Sequence, residues 1–447
     1  MPAFFSRERI VARDGYSRWL IAPSALAIHL CIGQAYAFSV FNLPLSRSLG
    51  ITQQVDGDWS LAQLGWIFTC AIGLLGISAA LFGRWLERVG PRVSGTLSAL
   101  CFSSGFLVAA LGVWTHQLWL LIGGYGVLGG IGLGLGYITP VSTLVKWFPD
   151  RRGMATGIAI MGFGGGAIVA APLSQWLMKQ YASPQSVGVV PTFITLAVLY
   201  LVVMLAGALS FRVPPEGYAP KGWSAPASHQ PLQGLEPSAA MATPQFWLLW
   251  GVLCLNVSAG IGLLGQASAM IQEVFKGEVD ATQAARFVSL LSLFNMLGRF
   301  GWASLSDRIG RRATYAIFFA LGCVLYAAVP WLANGKLLFG FVACCCAMLT
   351  LYGGGFATIP AYLADLFGTR YVGAIHGRLL TAWSVAGALG PILVNYLRQS
   401  AIKGGTDPAQ AYNNTLRLMA GLLVLGFVCN WLVRPLSPSR PTAAAAE

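Results

Sequence analysis

The stretch Gly83-Arg84-Trp85-Leu86-Glu87-Arg88-Val89-Gly90-Pro91-Arg92 occurs a second time in this chain, in altered form, as Ala303-Ser304-Leu305-Ser306-Asp307-Arg308-Ile309-Gly310-Arg311-Arg312. The two copies are 220 residues apart, and each lies at the end of a long apolar run. Pro140 and Pro360 are separated by the same 220 residues. The repetition indicates two halves of one design, which is an architecture of membrane transporters.

The composition indicates a protein that folds in lipid. Of its 447 residues 56% are hydrophobic and 10% are charged, and the mean hydropathy is +0.66. Apolar runs near the length of about 20 residues that crosses a bilayer occur twelve times. They lie near 19–43, 61–82, 93–114, 118–142, 154–177, 190–211, 245–271, 284–306, 313–333, 337–362, 373–397 and 414–433. We therefore predict an all-α membrane protein with twelve transmembrane helices in two six-helix halves.

The stretch from Val213 to Thr243 separates the two sets of runs. It is rich in Pro, Gly, Ser and Ala and has no apolar period, which is typical of a linker outside the membrane. We therefore expect an N-terminal half at 1–211, a linker at 212–243 and a C-terminal half at 244–447. The run that begins at Trp19 is too long for a signal-peptide core of roughly 7–15 residues, so it is expected to remain as the first span.

Positive charge is concentrated in the loops after spans two, four and eight. These loops contain Arg84, Arg88, Arg92, Lys146, Arg151, Arg152, Arg308, Arg311 and Arg312. Because short cytoplasmic loops carry an excess of Lys and Arg, we expect these loops and both termini to face the cytoplasm across a plasma (inner) membrane. This placement accounts for the net charge of +13 without nucleic acid. The nine cysteines lie in apolar runs without metal-binding spacing, so neither a metal nor a cofactor is expected.

The repeated loops have a physical use beyond topology. An acid at a helix end can bond to arginines and to the N-terminus of a neighbouring helix, which would join the halves in one conformation. Gly90 and Gly310 would allow the tight turn. The predicted gating residues are Glu87, Arg88, Arg92, Asp307, Arg308 and Arg311. Alternatively, these are ordinary cytoplasmic loop charges. The order acid-Arg-x-Gly-x-Arg resembles the signature of the major facilitator superfamily, although Glu87 replaces its usual aspartate and Ala303 its usual glycine.

Arg299 is the only charged residue in the run from Phe287 to Ser306. An arginine at mid-membrane depth costs about 2.5–3.5 kcal/mol, and such residues normally face a bundle interior and mark a substrate path. A guanidinium offers paired donors that match a carboxylate. Asn295 lies four residues earlier on the same helix face, where it can hold the guanidinium or bond to a ligand. Alternatively, Arg299 is structural and bonds to carbonyls, or extends towards the cytoplasm.

Further motifs narrow the resemblance. They are Tyr36-Ala37-Phe38-Ser39-Val40-Phe41, Lys146-Trp147-Phe148-Pro149-Asp150-Arg151-Arg152-Gly153, Thr243-Pro244-Gln245-Phe246-Trp247, Asn295-x-x-Gly298-Arg299 and Thr381-Ala382-Trp383. Together they resemble the oxalate/formate antiporter family, a relative of the monocarboxylate transporters. The resemblance implies that Arg299 binds a substrate carboxylate in a central cavity lined by Gln34 and Tyr36. Trp383 stands where oxalate-exchanging members have a lysine, and Asn295 stands where monocarboxylate transporters have an aspartate.

Several other residues are candidates for the same cavity. Its walls could include Tyr137, Tyr352, Phe356 and Trp383, although membrane spans bury many aromatic residues with no ligand nearby. His29 is a candidate proton relay, or sits neutral against a helix carbonyl. Arg378 lies near the start of span eleven, and we expect it to extend to the interface. Glycines in spans four and five, such as Gly130 and Gly164, predict close helix packing where the halves slide.

The sequence favours a secondary transporter of small organic anions that works by alternating access. Because Arg299 is the one cation predicted to face the cavity, we expect monocarboxylates to bind and dianions to be excluded. Exchange is expected because the predicted spans contain no Asp or Glu for a proton relay. The alternatives are a proton-coupled monocarboxylate symporter and a facilitator-type exporter of other small molecules. An enzyme is not expected, because no catalytic cluster is visible, and the chain is expected to act as a monomer in the bilayer.

Overall fold

The computed structural model describes residues 7–223, 234–407 and 410–436, and twelve long helices dominate these ranges. We number them α1 to α12 in chain order. Their bounds are Arg18–Leu45, Leu61–Val89, Pro91–Trp114, Leu118–Trp147, Arg152–Tyr181, Val189–Ser210, Pro244–Val274, Ala281–Ile309, Arg311–Asn334, Leu338–Phe367, Val372–Leu379 continued by Thr381–Lys403, and Ala411–Leu432. The fold class that the sequence predicts is confirmed.

Ten of these helices are long and apolar enough to cross a membrane. The remaining two, α8 and α11, are less apolar. The helix α8 packs against α5 and α10, and α11 packs against α2 and α7. Several helices are longer than the predicted spans. As a result, Glu87 and Asp307 lie on the last turns of α2 and α8, and not in loops.

One face of the bundle holds the connection between the halves, and we call it the linker face. Arg18, at the start of α1, forms an ion pair with Asp150 between α4 and α5, with N–O distances of 2.5 and 2.9 Å. Arg84 on α2 pairs with Glu236 in the linker at 3.2 Å. The described part of the linker includes a short helix, Pro237–Met241, whereas its stretch 224–233 lies outside the described residues.

Glycines allow the two halves to approach closely along α5 and α8. A Cβ at Gly153 would lie 2.1 Å from the carbonyl oxygen of Ala303. A Cβ at Gly164 would lie 2.7 Å from Nε of Arg299. By contrast, Gly130 on α4 packs against α2 in its own half. The predicted packing between halves therefore holds for Gly164 on α5 and is wrong for Gly130 on α4.

Candidate substrate site

Arg299 is completely buried on α8, at the boundary between the two halves. Its Nε donates to Oδ1 of Asn295 at 3.1 Å, as the four-residue spacing predicts. The other two bonds cross to the first half. One terminal nitrogen donates to the carbonyl oxygen of Ile160 on α5 at 3.1 Å, and the second lies 3.5 Å from the hydroxyl of Tyr36 on α1. The guanidinium therefore bridges the halves.

Aromatic rings surround this guanidinium. The ring centroids of Tyr36, Phe163 and Phe356 lie 5.9, 5.8 and 5.5 Å from its central carbon. Trp383 on α11 packs against Phe163 at 5.5 Å and Phe356 at 4.9 Å between centroids, and only 1% of its surface is exposed. Rings that face a cation stabilise it, and they also provide apolar walls for a ligand. We call Arg299, Asn295, Tyr36, Tyr137, Phe163, Tyr352, Phe356 and Trp383 the central cluster.

Most of the predicted substrate-binding residues are members of this cluster. The hydroxyls of Tyr36 and Tyr352 are 3.4 Å apart across the two halves, and Tyr36 is half-buried. The ring of Tyr137 lies 5.6 Å from that of Trp383. Gln34 is placed elsewhere, because its Oε1 accepts a hydrogen bond from the hydroxyl of Tyr125 at 2.8 Å inside the first half. Tyr36, two residues later in the 3-10 segment Gly33–Phe41, faces a different side.

His29 and Arg378 lie outside the central cluster. The two ring nitrogens of His29 are 2.6 Å from the carbonyl oxygen of Ala159 and 3.1 Å from that of Tyr137. Helix carbonyls therefore lie beside both nitrogens of this ring, and its role as a proton relay stays a prediction. Arg378 is half-buried and donates to the carbonyl oxygen of Ala374 in its own helix at 2.9 Å.

Sequence reasoning missed three groups that lie in or next to the central cluster. Phe163 is a single aromatic residue in a glycine-rich run, and nothing in that pattern distinguishes it from a packing residue. The carbonyl oxygen of Ile160 has no sequence signal, because every residue carries one. His376 is 1% exposed, and its ring centroid lies 5.9 Å from that of Tyr137. The signal for His376 was a histidine within the predicted span eleven.

Asp307 joins the halves at the linker face. Its two carboxylate oxygens accept hydrogen bonds from the backbone N–H groups of Gly153 and Met154, both at 2.8 Å. These donors belong to the first turn of α5, where N–H groups have no partner within the helix and the dipole favours an anion. Arg311 donates to Asp307 at 2.6 Å and to Asp365 at 3.0 Å. We call the contact of Asp307 with Gly153 and Met154 the Asp307 latch.

Glu87 makes the corresponding contact in the other copy of the repeat. It accepts a hydrogen bond from the backbone N–H of Gly373, in the first turn of α11, at 2.9 Å. We call this contact the Glu87 latch. Lys146 forms the ion pair with Glu87. An arginine does not, because Pro91 occupies the position that corresponds to Arg311 in the second copy.

Among the described contacts, the two latches include none of the other predicted gating residues. Arg88 and Arg308 are exposed. Arg92 is buried and donates to the carbonyl oxygen of Phe211 within the first half at 3.3 Å. An ion pair between Arg152 on α5 and Asp365 on α10, at 2.7 Å, adds a further bond between the halves. Together with the two latches, it joins the two halves at the linker face.

Comparison with known proteins identifies the family. The sequence-family model of the Major Facilitator Superfamily matches residues 25–391. The chain belongs to this superfamily. The oxalate:formate antiporter of Oxalobacter formigenes is 27% identical to this facilitator over 84% of the chain and 83% of its own length. The apicoplast pyruvate carrier 1 of Toxoplasma gondii is 26% identical over 89% of the chain and 86% of its own length.

Solved structures show the same fold. The fucose:proton symporter FucP of Escherichia coli superposes with a TM-score of 0.68 at 13% identity. The superposition covers 94% of this chain and all of that one. The twelve-helix architecture of this facilitator is therefore that of known transporters of the superfamily.

Proposed function

We propose that this facilitator is a secondary transporter of small monocarboxylates, which it moves by alternating access through the central cluster. The observation that carries the proposal is the buried guanidinium of Arg299. Among the described residues, no Asp or Glu forms an ion pair with it. A buried charge without a counter-ion is costly, so a carboxylate that enters the cluster would be strongly favoured.

The hydrogen bonds of Arg299 support a ligand role. A guanidinium has five N–H donors, and the described bonds to Asn295, Ile160 and Tyr36 use three of them. Two donors remain for a carboxylate. The bond to the Tyr36 hydroxyl is also the longest of the three, at 3.5 Å, so an anion could displace it at little cost.

Trp383 supports the choice of a monoanion. Its ring packs against Phe163 and Phe356, the two phenylalanines whose rings lie near the guanidinium. Its large apolar face suits the short hydrocarbon part of an acid. A second carboxylate at that point would meet no cation among the described members of the central cluster, and it would remain buried and unpaired. Two relatives are named as an oxalate:formate antiporter and a pyruvate carrier, and these names agree with a small carboxylate substrate.

We further propose that the two halves, 1–211 and 244–447, move as units about the central cluster and exchange substrates across the membrane. The empty carrier would have to change conformation while the charge of Arg299 lacks a counter-ion. In the loaded carrier the substrate carboxylate supplies that counter-ion, so exchange is faster than net uptake. The arginine-rich linker face is the cytoplasmic one in this proposal, in a plasma (inner) membrane. The carrier functions as a monomer, because each chain contains the complete central cluster.

Uptake into proteoliposomes tests this proposal. Vesicles that contain the purified protein are prepared with or without unlabelled acid inside. The uptake of labelled formate, pyruvate, lactate, oxalate and succinate is then measured. Saturable uptake of monocarboxylates is expected, and Arg299→Gln should abolish it. Arg378→Gln is the matched control, because this arginine is also on a spanning helix but lies outside the central cluster. Uptake by Arg299→Gln at the wild-type rate, or no uptake of any acid by the wild type, would refute the proposal.

A further inference from the structure

Three polar atoms without a described partner lie in or next to the central cluster. His376 is 1% exposed, and neither of its ring nitrogens has a hydrogen-bond partner among the described residues. The hydroxyl of the fully buried Tyr137 also has none, and the two rings are 5.9 Å apart. Leaving a buried polar group unpaired costs about 1–3 kcal/mol. His29 differs, because carbonyl oxygens lie within hydrogen-bonding distance of both of its nitrogens.

The repeat gives the depth of His376 relative to Arg299. Gly153 and Gly373 are 220 residues apart, and each is held by a latch at the linker face. Arg299 bonds to α5 at Ile160, seven residues beyond Gly153, whereas His376 lies three residues beyond Gly373. His376 is therefore four residues, or about 6 Å of helix, nearer to the linker face than Arg299.

The ring of Tyr137 lies between the surroundings of Arg299 and His376. Its ring lies 5.3 Å from that of Phe163, which faces the guanidinium, and 5.9 Å from that of His376. Arg299 therefore stands at one end of a short row of side chains, and His376 stands at the other. A ligand that lies alongside this row would contact a cation at one end and uncharged hydrogen-bonding groups at the other.

We propose that His376 and the Tyr137 hydroxyl bind an uncharged oxygen of the substrate while Arg299 binds its carboxylate. This inference rests on the proposed function and narrows it to hydroxy- or oxo-monocarboxylic acids. A neutral imidazole has one donor and one acceptor, which complement a hydroxyl group, whereas a carboxylate can only accept. Because the two ends of the site differ in depth by about one helical turn, the oxygen belongs beyond the carbon next to the carboxylate.

A set of isomers tests this inference. Butyrate and 2-, 3- and 4-hydroxybutyrate have the same carbon chain, and they compete with labelled pyruvate for uptake into proteoliposomes. The wild type should prefer the 3- or 4-hydroxy isomer to butyrate by about 5- to 150-fold, the ratio that one buried hydrogen-bonding group provides. His376→Phe and Tyr137→Phe should each bring this ratio near one. His376→Gln should restore part of the preference, because an amide also donates and accepts.

His116→Phe is the control, because this histidine stacks on Trp59 in the loops opposite the linker face and should keep the wild-type ratio. The inference is overturned if the wild type does not distinguish the isomers, if the variants retain its preference, or if succinate competes best. Competition by formate as strong as that by the 3- and 4-hydroxy isomers also overturns it, since formate has no oxygen beyond its carboxylate. Failure of the proposed function is distinguishable, because Arg299→Gln would then retain transport or no acid would be transported.

Discussion

Gly164 provides a way to move the guanidinium of Arg299 without changing its charge. A Cβ at this position would lie 2.7 Å from Nε, 2.9 Å from Cδ and 3.1 Å from Cζ of Arg299. These distances are shorter than van der Waals contact, so one group must shift. The arginine side chain is flexible and the helix backbone is not, which means that Gly164→Ala should displace the guanidinium by several tenths of an ångström and leave the fold intact.

The expected effect follows from the bonds that the displacement weakens. Hydrogen bonds to charged groups are worth about 1.5–3 kcal/mol, and misplacement by about 1 Å can cost 100-fold, so transport at low substrate concentration should fall roughly 10- to 100-fold. The assay is initial uptake of labelled pyruvate by proteoliposomes. Gly165→Ala is the matched control, since its Cβ would meet the flexible side chain of Met296. Equal uptake by Gly164→Ala and Gly165→Ala would refute the assigned position of the guanidinium.

Three further predictions follow from the central cluster and the latches. Trp383→Lys should add a second cation and shift preference towards oxalate, measured by competition with labelled pyruvate; strong oxalate competition in the wild type would contradict this. Glu87→Gln and Asp307→Asn should slow transport but keep substrate affinity within a few-fold, because the latches act on the conformational equilibrium, and a loss of binding at unchanged rate would be inconsistent with that role. Vesicles preloaded with pyruvate should take up labelled pyruvate faster than empty ones, and equal rates, or rates that follow an imposed pH gradient, would favour proton symport.

Most of the fold could be predicted from the sequence. Apolar runs separated by basic loops locate all twelve helices, because a span in lipid must satisfy its own backbone and is therefore both long and apolar. The repeat at Glu87 and Asp307 predicts two related halves, and the positive φ angles of Gly90 and Gly310, +84° and +86°, confirm the tight turns. Helix ends were predicted less well, since charged residues continue a helix beyond the apolar run. Lys146 was expected only as a loop charge.

The site could be predicted only in part, because sequence gives the depth of a residue better than the direction in which it points. Arg299 is conspicuous as the one charge in its apolar run, and Asn295 follows from helical spacing. Gln34 and Tyr36 are close in sequence but face different surroundings, because the segment Gly33–Phe41 is a 3-10 helix. His376 could be recognised only once the structure showed that both its nitrogens lack a described partner.

The measurement that tests the central claim most directly is equilibrium binding of a labelled monocarboxylate to the purified protein. Wild type and Arg299→Lys are compared by scintillation proximity, which reports binding without transport. The wild type should bind pyruvate saturably, and monocarboxylates should displace it while succinate should not. Arg299→Lys keeps the charge but loses the paired donors, so its affinity should fall by at least about tenfold. Undiminished binding by Arg299→Lys, together with undiminished binding by Arg299→Gln, would show that the carboxylate is held elsewhere.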